Sequence, residues 1–372
     1  MKMEEKETVK RILSWMSGKR TGPVKLQLNP TNRCNIKCRF CWLRDFDLSG
    51  ANYEEIEPQR YLEIIEEASK LGVKSIEITG GGEPLCRKDI LDIMRKVKRQ
   101  GIYGELITNG TLITVETVKE IINMRWDRVV FSLDAPDAET NDYLRGMGGA
   151  FEKTVDAINM LRSQKEKKAD KPEICIHMVL CNKNYNKIVE MFEFVHNLGC
   201  NNLFIEPMVL LALETNAGRE LMLKSEYKKQ LILEMERAKE TARRFHFKTN
   251  IDKLKLRSIE KINRMDEMIM EEAKSGKADV SEDFTSIPCY YPWYQMIIRP
   301  WGAVGSCCMF DNVGDNVKDK SLKEIWFGDH FNEIRNKLKE GILPNFCFKC
   351  NPSQVQENKK IRGALNVKVK KV

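Results

Sequence analysis

The chain has 372 residues, 42% hydrophobic and 31% charged, which suits one large domain plus a smaller one in an ordinary soluble protein. No run of about 18 apolar residues occurs, which argues against a membrane-spanning helix, and the charged N-terminus MKMEEKETVKRILSWMSGKR lacks the apolar core of a signal peptide, so a cytoplasmic location with no membrane partner is expected. The net charge of +8 arises from 62 basic residues matched by 54 acidic ones along the whole chain, a pattern of solvated faces that argues against nucleic-acid binding.

In chain order, residues 1–22 read as an N-terminal helical extension. Residues 23–213 alternate short apolar runs with longer amphipathic ones. Strands are expected at Val24–Asn29, Ser75–Thr79, Glu105–Thr108, Val129–Leu133, Ile174–Leu180 and Asn202–Pro207, and helices at Arg60–Leu71, Lys88–Gln100, Val115–Asn123, Phe151–Ser163 and Ile188–Leu198. Six strands alternating with helices predict a parallel sheet with right-handed crossovers, an α/β fold of the partial (β/α)6 TIM-like barrel kind with its chemistry at the C-terminal strand ends. Residues 214–285 are highly charged and helically periodic, as in LILEMERAKETARRF and IEKINRMDEMIMEEAK, and read as a helical bridge. Residues 286–372 return to short strands, aromatics, Gly and Cys, and read as a small α+β domain.

Twelve cysteines without an export signal favour metal binding over a disulfide framework. Seven fall into two groups, Cys34/Cys38/Cys41 and Cys289/Cys307/Cys347/Cys350, with Cys308 beside Cys307 as a substitute. The first group, in LQLNPTNRCNIKCRFCW, lies in the loop after the first strand. Three soft thiolates so spaced can hold three irons of a cubane [4Fe-4S] cluster and leave the fourth open to a chelating amine and carboxylate, such as the methionyl end of S-adenosylmethionine. A zinc site would require a fourth ligand, and the nearest histidine, His177, is far along the chain.

This triad, with Phe40 before its third cysteine, resembles the signature of the radical S-adenosylmethionine superfamily. The resemblance runs through the barrel region: Gly81–Gly82–Glu83–Pro84 after the second strand matches the GGEP motif, and Ile107–Thr108–Asn109–Gly110, Ser132–Leu133–Asp134–Ala135 and Ile205–Glu206–Pro207–Met208 end later strands. It implies that Phe40, Gly81, Gly82, Glu83, Pro84, Asn109, Ser132, Arg145 and Met208 bind S-adenosyl-L-methionine. It also implies reductive cleavage to a 5′-deoxyadenosyl radical, with an external electron donor such as flavodoxin or ferredoxin.

The second group would enclose a metal fully, and on chemistry alone a zinc ribbon and an iron–sulfur cluster compete. Ile297–Pro300 and Trp301–Gly305 suggest a hairpin ending at Cys307, and with the final Cys-x-x-Cys the arrangement is similar to SPASM/Twitch extensions of the same superfamily. That likeness implies an auxiliary [4Fe-4S] cluster held by Cys289, Cys307, Cys347 and Cys350, and makes the last part an iron–sulfur domain. Cys86 and Cys181 near strand ends read as packed thiols or hydrogen-atom donors, and His177 and Glu206 as packed residues or bases, so the catalytic residue stays unassigned. The expected activity is oxidative modification of a peptide or protein, the alternative a small-molecule dehydrogenase acting on a sugar- or cyclitol-like substrate.

Overall fold

The computed structural model describes residues 3–41, 43, 54–168, 171–208, 219–254, 287–308, 314–344, 347, 350 and 352–369. Helix α1 (Met3–Met16) precedes strand β1 (Lys25–Leu28), and β2 (Ser75–Ile78), β3 (Tyr103–Thr108), β4 (Arg128–Ser132), β5 (Glu173–Leu180) and β6 (Asn202–Pro207) follow. Between them run α2 (Pro58–Lys70), α3 (Ile90–Arg99), α4 (Val115–Asn123), α5 (Ala138–Arg145), α6 (Ala150–Lys168) and α7 (Ile188–Asn197). The helices form because their apolar residues recur on one face: Ile90, Ile93, Met94 and Val97 of α3 are all buried, at the spacing that presents one stripe to the sheet. Burial along β3 alternates strictly, as a strand with one face in the core requires.

The six expected strands are present, and the sheet continues beyond them. Its order is β7-β6-β5-β4-β3-β2-β1-β8-β9, where β7 is Lys248–Thr249, β8 is Gln295–Ile298 and β9 is Val304–Gly305. Every neighbouring pair is parallel except β8 with β9, so the strand C-termini from β1 to β8 share one edge. With β7 and β9 as free ends, the barrel is not closed. Strand β8 pairs with β1 in register from Lys25↔Gln295 to Leu28↔Ile298, so the C-terminal residues extend the barrel sheet rather than building a sheet of their own.

Helix α5 lies in a segment that has no apolar periodicity. It is held at both ends: the Asp137 carboxylate accepts from the Thr140 N–H at 2.9 Å, and Gly146 closes the C-terminus at φ 62°. Within the expected bridge, α8 (Lys228–Arg244) packs Leu231, Met235 and Ala238 into the main core, while the segment IEKINRMDEMIMEEAK lies outside the described residues.

The last helices are α9 (Leu322–Phe327), α10 (Asp329–Lys339) and α11 (Pro352–Val369). A second core joins Val9 and Ile12 of α1 to Tyr290, Trp293, Ile361 and Leu365, so the two ends of the chain share one apolar cluster. The buried Arg11 guanidinium donates to the carbonyls of Gly22 and Pro23, both at 2.8 Å, and fixes α1 to the chain entering β1. Ile12 is fully buried in this core, so Ile12→Ala is expected to destabilise the protein by about 2–5 kcal/mol in denaturant unfolding.

Candidate active site and thiol cavity

At the C-terminal strand edge a cavity of about 330 Å³ is lined by Cys34, Cys38, Cys41, Phe40, Gly81, Gly82, Glu83, Asn109, Ser132, Arg145 and Met208. Its size suits a small-molecule cofactor. Residues from five strand ends, β2 to β6, and the loop after β1 thus meet in one place. Pro84 is the exception among the sequence candidates. It is buried at the start of a short 3-10 turn, Pro84–Cys86, and is not part of the lining, because its ring serves to set the turn.

The Gly81–Gly82 turn lies directly on the triad loop. The Gly82 N–H donates to Thr31 O at 2.8 Å and the Glu83 N–H to Arg33 O at 2.9 Å. A Cβ at Gly82 would stand 2.1 Å from Arg33 O, so only glycine permits this approach. The buried Glu83 carboxylate accepts from Thr108 Oγ1 (2.7 Å), the Asn109 N–H (2.7 Å) and the Leu85 N–H (3.2 Å). Burial pushes its pKa up, and these three donors oppose the shift. Glu83 therefore clamps the turn to the end of β3. Asn109 is similarly engaged: its amide donates to Asn35 Oδ1 at 3.0 Å, and its oxygen accepts from the Thr111 N–H and hydroxyl.

Arg145 reaches the triad from the end of α5. Its Nε lies 2.8 Å from Asp134 Oδ2, its Nη1 3.8 Å from Cys38 Sγ, and its guanidinium 5.6 Å from the Phe40 ring centroid. Burial raises the Cys38 thiol pKa, and the Arg145 charge opposes it. Gly146 makes this approach possible, since a Cβ there would meet Lys37 O at 2.0 Å. Asp134 is fully buried; its Oδ1 accepts from the Val179 N–H at 2.9 Å. The buried Asn184 donates to the carbonyls of Asp134 and Val179 and accepts from the Cys181 N–H, which locks the β4 and β5 ends together. Asp134, Asn184 and Asn141, whose Oδ1 accepts from the Asp134 N–H at 3.0 Å, were not among the sequence candidates. The available signal was a charged residue closing an apolar strand, Asp134 after Leu133.

His177 and Glu206 also line the cavity, with Nε2 and Oε2 3.4 Å apart. Cys181 is buried among Leu144, Met208 and Leu221, its thiol pushed up to about 12 by burial, as expected of an inert packed cysteine. Among the described residues, no three His, Cys, Asp or Glu side chains converge into a closed chelating group. The triad thiols line the cavity wall together, with soft donors on one side and open space on the other.

A second cavity is lined by Cys289, Cys307, Cys347 and Cys350. The antiparallel β8–β9 hairpin explains the first two: Cys289 precedes one arm and Cys307 follows the other, so both fall at its open end. Cys347 and Cys350 lie between α10 and α11, and the Cys350 N–H donates to Cys347 O at 3.1 Å. Burial pushes the Cys289 thiol up to about 11, against hydrogen bonds from the Tyr291 N–H and the Asn358 side chain. Cys308 is not part of this lining. It packs, as Trp301 does, on the cluster of Ile297 and Ala303. Four convergent thiols suit zinc or an iron–sulfur cluster.

Comparisons decide between them. Residues 28–195 match the Radical SAM superfamily and residues 289–351 the SPASM iron-sulfur cluster-binding domain. The chain is 25% identical over 330 residues, 88% of its length and 86% of the relative's, to the tungsten-containing aldehyde ferredoxin oxidoreductase cofactor-modifying protein of Pyrococcus furiosus. It is 23% identical to the PqqA peptide cyclase of Gluconobacter oxydans, covering 88% and 82% of the two chains. Identity to the AdoMet-dependent heme synthase of Methanosarcina barkeri is 37%, but over 45% of this chain and 46% of that protein, so the match spans less than half of that relative. Streptococcus suis SuiB bound to precursor peptide SuiA shares the fold, with a TM-score of 0.61 at 18% identity, covering 91% of this chain and 79% of that one. No described helix is long and apolar enough to cross a membrane.

Removing one partner of the buried Asp134–Arg145 pair strands the other charge. Asp134→Asn is expected to cost about 3–5 kcal/mol in denaturant unfolding.

Proposed function

We propose that this chain, which belongs to the radical SAM superfamily and carries a C-terminal SPASM domain, oxidatively modifies a peptide or protein. Bound at the strand-end cavity, a [4Fe-4S] cluster together with S-adenosylmethionine would supply the one-electron chemistry that removes a hydrogen atom from substrate. Cys34, Cys38 and Cys41 hold that cluster. Gly81, Gly82, Asn109, Ser132, Met208 and Phe40 surround the cofactor, while Glu83 and Pro84 keep the glycine turn seated on the triad loop. Arg145 holds a positive charge against Cys38 and is itself held by Asp134. Cys289, Cys307, Cys347 and Cys350 hold the auxiliary cluster.

The observation that carries the oxidative reading is the pairing of β1 with β8. The strand that ends in the triad loop is hydrogen-bonded along its length to the strand whose hairpin brings in Cys289 and Cys307, so two redox-capable sites are tied to one sheet. A cluster with four protein ligands has no open iron for substrate, which suits it to accepting the electron that a substrate radical gives up. The peptide reading draws on the peptide cyclase and on SuiB with its precursor peptide. A second reading, modification of a small molecule, draws on the relative described as cofactor-modifying, which aligns with 88% of the chain.

Anaerobic reconstitution with iron, sulfide and dithionite tests the mechanism. The intact chain is expected to form 5′-deoxyadenosine from S-adenosylmethionine. The Cys34→Ala/Cys38→Ala/Cys41→Ala variant should form none and keep about four irons per chain. Iron-loaded intact protein that leaves the cofactor uncleaved would sink the reading. Incubation with peptides encoded beside its gene, followed by mass spectrometry, should find one that loses two hydrogens in step with 5′-deoxyadenosine.

A further inference from the structure

Helix α11 presents a polar stripe to the four-thiol cavity. Gln354, Asn358 and Arg362 stand four residues apart and so share one helix face, and all three line the cavity with the cysteines. The rest of the wall is largely apolar, with Ile334, Leu338, Leu343 and Val355. Three consecutive polar positions on the turned-in face of a helix call for a reason.

Their contacts converge on sulfur and on the segment that carries it. The Gln354 amide sits between two thiols, with Nε2 3.1 Å from Cys308 Sγ and Oε1 3.6 Å from Cys350 Sγ. Asn358, 5% exposed, donates to Gln354 O at 2.9 Å and accepts from the Tyr290 N–H at 2.7 Å, which fixes the helix to the residue after Cys289. Arg362 Nη2 donates to Ile287 O at 3.0 Å and to Pro288 O at 3.4 Å, which holds the guanidinium beside the chain leading into Cys289.

Four thiolates around an iron–sulfur core leave net negative charge in an apolar cavity, and reduction adds to it. Hydrogen bonds to the sulfurs and nearby positive charge favour the reduced form and raise the potential. A glutamine amide carries two N–H donors and can turn either end toward a given sulfur, so Gln354 can donate to Cys350 once that cysteine is a thiolate ligand. We propose that the Gln354–Asn358–Arg362 stripe sets the reduction potential of the auxiliary cluster, Gln354 as donor to sulfur, Arg362 as the compensating charge, and Asn358 as the residue that fixes the helix to the Cys289 segment. This rests on the assignment of an iron–sulfur cluster to the four-thiol cavity. It makes the stripe the means by which the chain adjusts that site for taking up a substrate electron.

The test uses the full-length Cys34→Ala/Cys38→Ala/Cys41→Ala protein, in which the auxiliary cluster is the one that remains, with iron and sulfide analysis and a redox titration followed by electron paramagnetic resonance. Gln354→Leu and Arg362→Met should each move the midpoint to more negative potential at unchanged iron content. Gln354→Glu, of equal size but anionic, should move it further than Gln354→Leu. Arg362→Lys should restore most of the shift. Midpoints that stay in place, or move positive, in fully loaded variants overturn the proposal. So does loss of iron with an unmoved midpoint in the fraction that stays loaded, the result of a purely structural stripe. A parent protein without any cluster would overturn the underlying assignment instead.

Discussion

Strand β1 is hydrogen-bonded on both sides, to β2 from Lys25↔Ser75 to Leu28↔Ile78 and to β8 from Lys25↔Gln295 to Leu28↔Ile298. Without β8, its second row of N–H and C=O groups would be an open sheet edge. Pairing satisfies that row and ties the C-terminal residues to the barrel. The triad loop leaves one end of this strand. At the other end, Val24 and Lys25 donate to Tyr294 O at 2.7 and 2.9 Å, at the entry to β8, where the second core begins. Four residues thereby fix how the two thiol sites stand relative to each other.

Around the strand-end cavity the protein buries several charges that water would otherwise solvate. Glu83, Asp134 and Arg145 each lose hydration, which disfavours their ionised forms unless partners replace the water. Each has those partners: three donors for Glu83, the Val179 N–H and Arg145 for Asp134, and Asp134 with the face of Phe40 for Arg145. Three of these partners are backbone N–H groups, and two of them, at Asn109 and Val179, belong to strand ends. The polar groups therefore brace the rim of the sheet around the cavity, and a braced rim suits a cofactor that must be held in one geometry.

Local features were legible from residue order alone. The six strands, the helix Val115–Asn123 and the co-location of Cys34, Cys38, Gly81, Gly82, Ser132 and Met208 follow from apolar runs and from motifs placed after strands. Features that lack an apolar stripe, or that depend on residues distant in the chain, were not. Helix α5 depends on its caps rather than on an apolar stripe, and it matters because it delivers Arg145. The grouping of α1 with α11 requires knowing that Ile12 and Leu365 share a core. The different surroundings of Cys307 and Cys308, adjacent in sequence, emerge from the hairpin register and from packing on Ile297 and Ala303. Pro84 belongs to a recognisable motif yet sits behind the cavity wall, because a motif records which residues recur together and not which of them face the ligand.

The two thiol sites differ in what folding must achieve before a metal can bind. Cys34, Cys38 and Cys41 lie within one short loop, so their proximity costs little chain entropy and needs only the end of β1 and the glycine turn as a seat. The four-thiol cavity is assembled from three separate segments: the approach to β8, the exit of β9, and the stretch between α10 and α11 that carries Cys347 and Cys350. Their convergence requires the hairpin, the β1–β8 ladder and the second core to be in place. A metal centre closing that cavity would in turn hold those segments together, so its binding and the docking of α1, α10 and α11 are thermodynamically linked. The open triad site is thus suited to exchange cofactor and products, and the enclosed site to remain loaded while it does so.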